Sequence, residues 1–252
     1  MLDWTTISSD PTDFKAMEAV KDYLAAISHV IDRPWNCKHS SFSQFCDHWL
    51  FAQFERAGPL LDIGFADHTC EPKAPAWRHG RLRAMVENCC GLDLNAERVA
   101  TIQKTTQLER LVAGDLTQNP ALPFDQFSGI FAGDVIEHMD NPGALLHFIR
   151  TRLSPTGITV ITTPNCYGRN ARRVLKTGIA IDNLEHTAWI SPFQMNELCR
   201  RHQLNLQAII YFREGRKRKI AQTLLPALKQ HEFRMRDCWS DNYSYILTQP
   251  AG

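Results

Sequence analysis

The sequence predicts an α/β chain wound around one mostly parallel sheet, and three observations carry that prediction. Short apolar runs alternate with stretches of helical spacing from Pro59 onward, and acidic or polar residues recur where those runs end. At 252 residues and 44% hydrophobic content, the chain can also bury one substantial core. Strands that alternate with helices call for parallel crossover units with helices on both faces. In such doubly wound sheets ligands bind beyond the carboxyl ends of the strands, where the polar residues fall.

Taken in order, the chain opens with a helical pattern over 12–32. Phe14, Met17, Val20, Leu24, Ile27 and Ile31 share one face behind a cap at Asp10 and Pro11. The segment from Pro34 to Arg56 is rich in His, Ser, Phe and Trp and holds a further helix near Phe45 to Phe54, so that 1–57 reads as an N-terminal helical extension. Strands follow at Pro59 to Ile63, Asn88 to Leu92, Arg110 to Ala113, Phe127 to Ala132 and Ile158 to Thr162, with helices over 95–107 and 142–153 between them. A long insertion, Thr69 to Arg83, carries Pro72, Pro75, Trp77 and His79 and forms either a lid or a loop with its own small core. The tail supplies a helix after Ser191-Pro192, a strand near Leu204 to Phe212, a helix over 219–230 and a last strand from Tyr243 to Thr248.

Composition narrows the function classes. Lys and Arg total 28 against 27 Asp and Glu, which argues against a surface built throughout to hold nucleic acid or anionic membrane. The 8 cysteines include no C-x-x-C pair and no zinc-type spacing, so free thiols in a reducing compartment are expected. With no secretory leader pattern and no apolar window long enough to span a bilayer, a cytoplasmic protein is expected.

The most informative stretch is Gly129-Ile130-Phe131-Ala132 followed by Gly133-Asp134-Val135-Ile136-Glu137-His138-Met139-Asp140-Asn141-Pro142, with Ile161-Thr162-Thr163-Pro164-Asn165 closing the next strand. This D-V-I-E-H-x-x-N-P run, with L-S-P-T-G-I-T-V-I-T-T-P-N behind it, resembles class I S-adenosylmethionine-dependent methyltransferases. The resemblance covers roughly 58–212. It implies a Rossmann-like, seven-stranded, mostly parallel sheet with one antiparallel strand, a methyltransferase domain over 58–252, and acceptor-side insertions at about 166–192 and 213–236.

It also implies site residues. Leu60-Leu61-Asp62-Ile63-Gly64-Phe65-Ala66-Asp67-His68 occupies the place of the family's first motif, which assigns Asp62, Ile63, Gly64 and Phe65 to S-adenosyl-L-methionine. The motif is poor in glycine here, with Phe65, Ala66 and Asp67 where small residues are common. Cys90-Gly91-Leu92-Asp93-Leu94-Asn95 resembles the second motif, in which Asp93, beside Leu94, accepts from both ribose hydroxyls. Alternatively Asp93 or Asn95 caps the following helix. Asp115 and Leu116 take the adenine positions, or Asp115 caps a turn.

Gly133, Asp134 and Val135 pass near the methionine part of the cofactor, while Asp134, Glu137 and His138 crowd onto one short connection. Such groups are costly to bury unless they pair or bind something. Either Glu137 and His138 form a local cap, or they work in catalysis. Farther on, Asp182-Asn183-Leu184-Glu185-His186-Thr187-Ala188-Trp189 resembles the acceptor-facing segment. D-x-x-E-H with a distant His also resembles the E-x-x-E-H…H metal site of small-RNA 2′-O-methyltransferases and certain quinone O-methyltransferases. That resemblance offers Asp134, Glu137, His138 and His186 as ligands for a divalent metal such as Mg; without metal, His138 is a general base, with Glu137 and His186 beside it. Arg213-Glu214-Gly215-Arg216-Lys217-Arg218-Lys219 is the strongest charge cluster, either a solvated loop or a site favouring an anionic acceptor.

The expected activity is O-methylation of a small-molecule or glycan acceptor. Two alternatives stand beside it: metal-dependent 2′-O-methylation of RNA, and a catalytically silent fold member that binds without turnover.

Overall fold

The computed structural model of the protein describes residues 31–34, 54, 58–66, 71–72, 77–165, 168, 178, 183–212 and 242–250. The body of the N-terminal helix over 12–30, the helix expected near Phe45 to Phe54 apart from Phe54 itself, Asp67, His68, Asp182, the basic run 213–219 and the helix over 219–230 lie outside them.

The elements are β1 (Ile31–Pro34), β2 (Leu60–Ile63), α1 (Arg78–Met85), β3 (Cys89–Asp93), α2 (Ala96–Thr106), β4 (Leu111–Ala113), β5 (Phe127–Gly133), α3 (Pro142–Arg152), β6 (Leu153–Pro164), α4 (Pro192–Arg201), β7 (Asn205–Phe212) and β8 (Asn242–Thr248). They form one sheet in the order β1-β7-β8-β6-β5-β2-β3-β4. Every pairing is parallel except those of β8, which runs antiparallel to both β6 and β7.

The expected seven strands with a single antiparallel member are therefore present, and β1 adds an eighth. Ile31, expected at the end of a helix, instead opens this edge strand, paired in register with Ala208. A second difference lies in the insertion: its last part is α1, with Trp77, His79 and Leu82 buried. The arginines of α1 (Arg78, Arg81, Arg83) hide that helix from an apolar-periodicity reading.

Alternation along the strands explains the two covered faces. Leu61, Ile130, Ala132 and Ile161 point to one side, where Leu145, Leu146 and Ile149 of α3 and Met195 and Cys199 of α4 cover them. Leu60, Phe131, Val160 and Ile246 point to the other, against Phe54, Leu82 and Val86. Helix starts follow cap chemistry. Asn95 accepts from Arg98 N at 2.9 Å, Asn141 accepts from Gly143 N at 3.1 Å ahead of Pro142, and Ser191 forms a capping box with Gln194. Each such cap typically stabilises by about 1 kcal/mol.

The strand order places the site. From β2 the chain steps outward to β3 and β4, then returns to β5 on β2's other side, so the winding direction reverses between β2 and β5. A crevice opens at the carboxyl ends of such a strand pair. Gly64 and Asp134 stand at those two ends.

Candidate active site

The turn after β2 is shaped by Gly64. Its φ of +74° is a conformation that L side chains rarely adopt, and a Cβ there would lie 2.5 Å from Val135 Cγ2 across the crevice. The next residue resolves the glycine-poor motif. Phe65 turns inward, 2% exposed, onto the bare backbone of Gly91 in β3, and its carbonyl accepts from Trp77 Nε1 at 3.3 Å. Its ring thus belongs to the interior, and only its backbone borders the crevice. Asp62 is fully buried and its Oδ2 meets His79 Nδ1 at 2.8 Å, so this carboxylate braces α1 from behind the turn. Ile63 is a core residue, 3% exposed.

Asp93 holds the rim of the second strand. Its Oδ2 accepts from Ala66 N at 3.0 Å and its Oδ1 from Asn95 N at 2.9 Å, while Asn95 itself caps α2. The carboxylate stays partly exposed, and each oxygen keeps acceptor capacity beyond its one backbone bond. Leu94 beside it is 74% exposed, an unusual state for a leucine at a strand end. Asp115 accepts from Thr117 N at 2.8 Å and caps the short 3-10 turn Leu116–Gln118, as the turn reading anticipates. Leu116 is half-buried against the main core.

At the end of β5 the backbone bends sharply, with Asp134 in the left-handed region at φ 56°. Non-glycine residues are held there at an energetic cost, and such positions cluster at functional sites. Asp134 is pinned by three contacts: its N–H donates to Thr162 O at 2.9 Å, its Oδ1 accepts from Thr162 Oγ1 at 3.1 Å, and its Oδ2 lies 3.5 Å from Arg78 Nη1. Arg78 also donates to Gly133 O at 3.0 Å and stacks 5.1 Å above the Phe131 ring. Sequence reasoning assigned Arg78 no role. Nothing in the insertion distinguishes it from its neighbouring basic residues, and only the fold of α1 carries it to the crevice.

Beyond the bend, the 3-10 turn Ile136–His138 brings Glu137 and His138 beside His186. One ligand atom from each of the three lies within 4.8 Å of the others. Asp134 does not join them, because the bend turns its carboxylate toward Arg78 and Thr162. Glu137 is 1% exposed; Thr163 Oγ1 donates to its Oε2 at 3.0 Å, and its Oε1 is buried with no hydrogen-bond partner among the described residues. Burial, reinforced by the charge of Asp134, pushes the Glu137 carboxyl up to about 8.

His138 is exposed, with Nδ1 at 3.2 Å from Glu185 O. A carbonyl only accepts, so Nδ1 is the protonated nitrogen of the neutral ring and Nε2 keeps its lone pair. The His138 and His186 rings meet edge to face at 4.8 Å between centroids, and His186 packs on Trp189 at 5.7 Å. The distant histidine arrives because Glu137 O accepts from Thr187 N at 2.8 Å and Ala188 N at 3.0 Å, clipping segment 183–190 to the turn.

Elsewhere, burial raises the thiols of Cys89, Cys90 and Cys199, with Cys90 pushed up to about 11, so these free cysteines are unreactive core residues. No helix among the described residues is long and apolar enough to cross a membrane.

The family model described as a methyltransferase domain matches residues 39–209. A SAM-dependent methyltransferase from Archaeoglobus fulgidus has a TM-score of 0.57 at 15% identity, covering 82% of this chain and 92% of its own. The glycopeptide N-methyltransferase MtfA, complexed with S-adenosyl-L-methionine, has a TM-score of 0.54 at 15% identity over 92% of this chain and 98% of its own. N-methyltransferase NodS from Bradyrhizobium japonicum WM9 has a TM-score of 0.50 at 13% identity over 83% and 97%. No curated protein matches the chain. At these identities the structural likeness establishes the fold.

Proposed function

From a chain that belongs to the methyltransferase-domain family, we propose a catalyst that moves the methyl group of S-adenosylmethionine onto a hydroxyl oxygen of a small-molecule or glycan acceptor. The observation that carries the oxygen assignment is the meeting of Glu137, His138 and His186 beside the bend of β5. MtfA and NodS, both N-methyltransferases, share the fold with this chain. The preference for oxygen rests instead on His138, whose Nδ1 faces Glu185 O so that Nε2 is the nitrogen left for a hydroxyl proton.

In this reading the cofactor lies across the strand ends. Asp93 accepts from the ribose hydroxyls while still holding Ala66 and Asn95; Leu94 and Leu116 flank the adenine, with Asp115 near its amino group. Gly64 and Gly133 let backbone approach the methionine part, and Asp134 and Val135 line that approach beside the backbone of Ile63 and Phe65. Asp62 acts from behind, through His79 and α1. The acceptor oxygen then bonds to the methyl carbon in line as the carbon–sulfur bond breaks, the hydroxyl proton passes to His138 Nε2, and the thioether departs. Glu137, mostly protonated at neutral pH, adds no charge beside the sulfonium, while His186 orders the face of His138.

A second reading keeps the same residues and adds a divalent ion. A buried carboxylate oxygen with no partner among the described residues and two imidazoles form a donor set that fits such an ion. Glu137, His138 and His186 would hold it, without Asp134, and the ion would supply charge that acidifies an acceptor hydroxyl. Two imidazoles suit a first-row transition ion better than Mg.

Incubating the protein with methyl-labelled S-adenosylmethionine and fractionated cell extract tests these readings. Label is expected in the small-molecule or glycan fraction. Label in RNA would favour the 2′-O reading, and cofactor binding with no transfer to any fraction would overturn catalysis.

A further inference from the structure

At the end of the sheet opposite Gly64, Asp93 and Asp134, a concavity of about 1120 Å³ opens between the starts of β6 and β7, the end of β8 and the C-terminal turns of α3 and α4. Its charged and titratable lining consists of His147, Arg150, Arg201 and His202, and no carboxylate from the described residues lines it. We propose that this concavity is a second ligand site, separate from the methyl-transfer crevice, and that it takes a phosphorylated small molecule.

Basic residues in the last turn of a helix complement the helix dipole, and that alone explains part of this lining. Arg201 has a further reason to be there, since its Nε donates to Glu197 Oε1 at 2.9 Å. The same carboxylate also accepts from Arg200 at 2.9 Å, so Glu197 is already committed to two guanidinium groups. Arg150 has no such counterion: its Nε is buried without a hydrogen-bond partner among the described residues, on a half-buried side chain that faces the concavity.

The imidazoles of His147 and His202 stand 6.4 Å apart between centroids. Burial holds His202 below its usual value, and the charges of His147 and Arg201 add to the effect. A helix dipole does not call for two neighbouring imidazoles beside a guanidinium whose Nε has no partner among the described residues. An anion satisfies all three at once.

The donors specify the class. A phosphoryl group offers three acceptor oxygens and up to two charges, which suits a lining that combines a planar guanidinium fork with imidazoles from α3 and α4. The amides of Gln203 and Gln207 along the same wall are suited to hydroxyl or carbonyl groups on the remainder of the molecule.

Titrating the full chain with inorganic pyrophosphate while following histidine ring resonances tests the assignment. The His147 and His202 signals are expected to shift saturably, with those of His138 and His186 unmoved. Arg150→Gln is expected to weaken pyrophosphate by about 10-fold or more, the loss of a charge-assisted contact, and to leave S-adenosylmethionine binding by calorimetry unchanged. If that variant does not fold, His202→Gln reads the same affinity. Shifts that never saturate, or that are equal in the variant, would mean only a basic surface and overturn the site. Citrate binding as tightly as pyrophosphate would overturn the phosphate class.

Discussion

Phe65 rests on Gly91: a Cβ at position 91 would lie 2.6 Å from Phe65 Cδ1, closer than carbon atoms approach. The bulky residue in a turn usually built from small ones is accommodated by the missing side chain of the neighbouring strand. Gly91→Ala should therefore cost about 1–3 kcal/mol in a denaturant titration and weaken cofactor binding, since Asp93 lies two residues along. Adding Phe65→Leu should recover part of the loss. Additive effects of the two changes would show that the contact is not what holds the turn.

Asp93→Ala should lower S-adenosylmethionine affinity measured by calorimetry, because each charge-assisted hydrogen bond removed is worth about 1.5–3 kcal/mol. Asp115→Ala should cost less. No binding by the intact protein would remove the cofactor reading altogether, whereas unchanged affinity in the Asp93 variant would remove only that residue.

His138→Ala should reduce turnover by ~10²–10⁴-fold with cofactor affinity preserved, the signature of a lost general base. The side chain is exposed, so the fold should tolerate its removal. Loss of cofactor binding in this variant would instead mark His138 as a structural part of the turn.

Glu137 gives a stability prediction with a definite sign. Its folded value of about 8 lies above the ordinary 4.5, so between those values the native state holds a proton that the unfolded chain has released. The native state should then lose stability as pH climbs from about 4.5 to about 8, by at most ~1.4 kcal/mol per pH unit. Glu137→Gln, which keeps an oxygen for Thr163, should flatten that part of the pH profile of unfolding free energy. An identical slope in the variant would locate the proton elsewhere.

If the Glu137, His138 and His186 group holds a metal, chelator should abolish activity and a divalent ion should restore it. Glu137→Gln should also lose ion binding measured directly. Full activity in chelator would leave His138 working alone.

The sheet was legible because β2, β3 and β5 are apolar runs that stop at polar residues, and because Asn95, Asn141 and Ser191 announce the helices that follow. β1 was not, since Ile31-Asp32-Arg33-Pro34 is held by backbone pairing to β7 and has no apolar alternation to reveal it. The meeting of His186 with His138 follows from amide bonds to a single carbonyl, which no spacing encodes. Asp134 shows the opposite limit: its identity fits the metal pattern, yet one positive φ aims it elsewhere.

The carbonyl of Glu137 that receives Thr187 N and Ala188 N joins the turn Ile136–His138 to the loop on which the proposed mechanism would sort its acceptor. Under the proposed mechanism, acceptor choice and reactivity would then be mechanically one unit. Redesigning segment 183–190 for a new acceptor would retune the imidazole across from it, so altered selectivity and altered pH optimum should arrive together in variants of this loop.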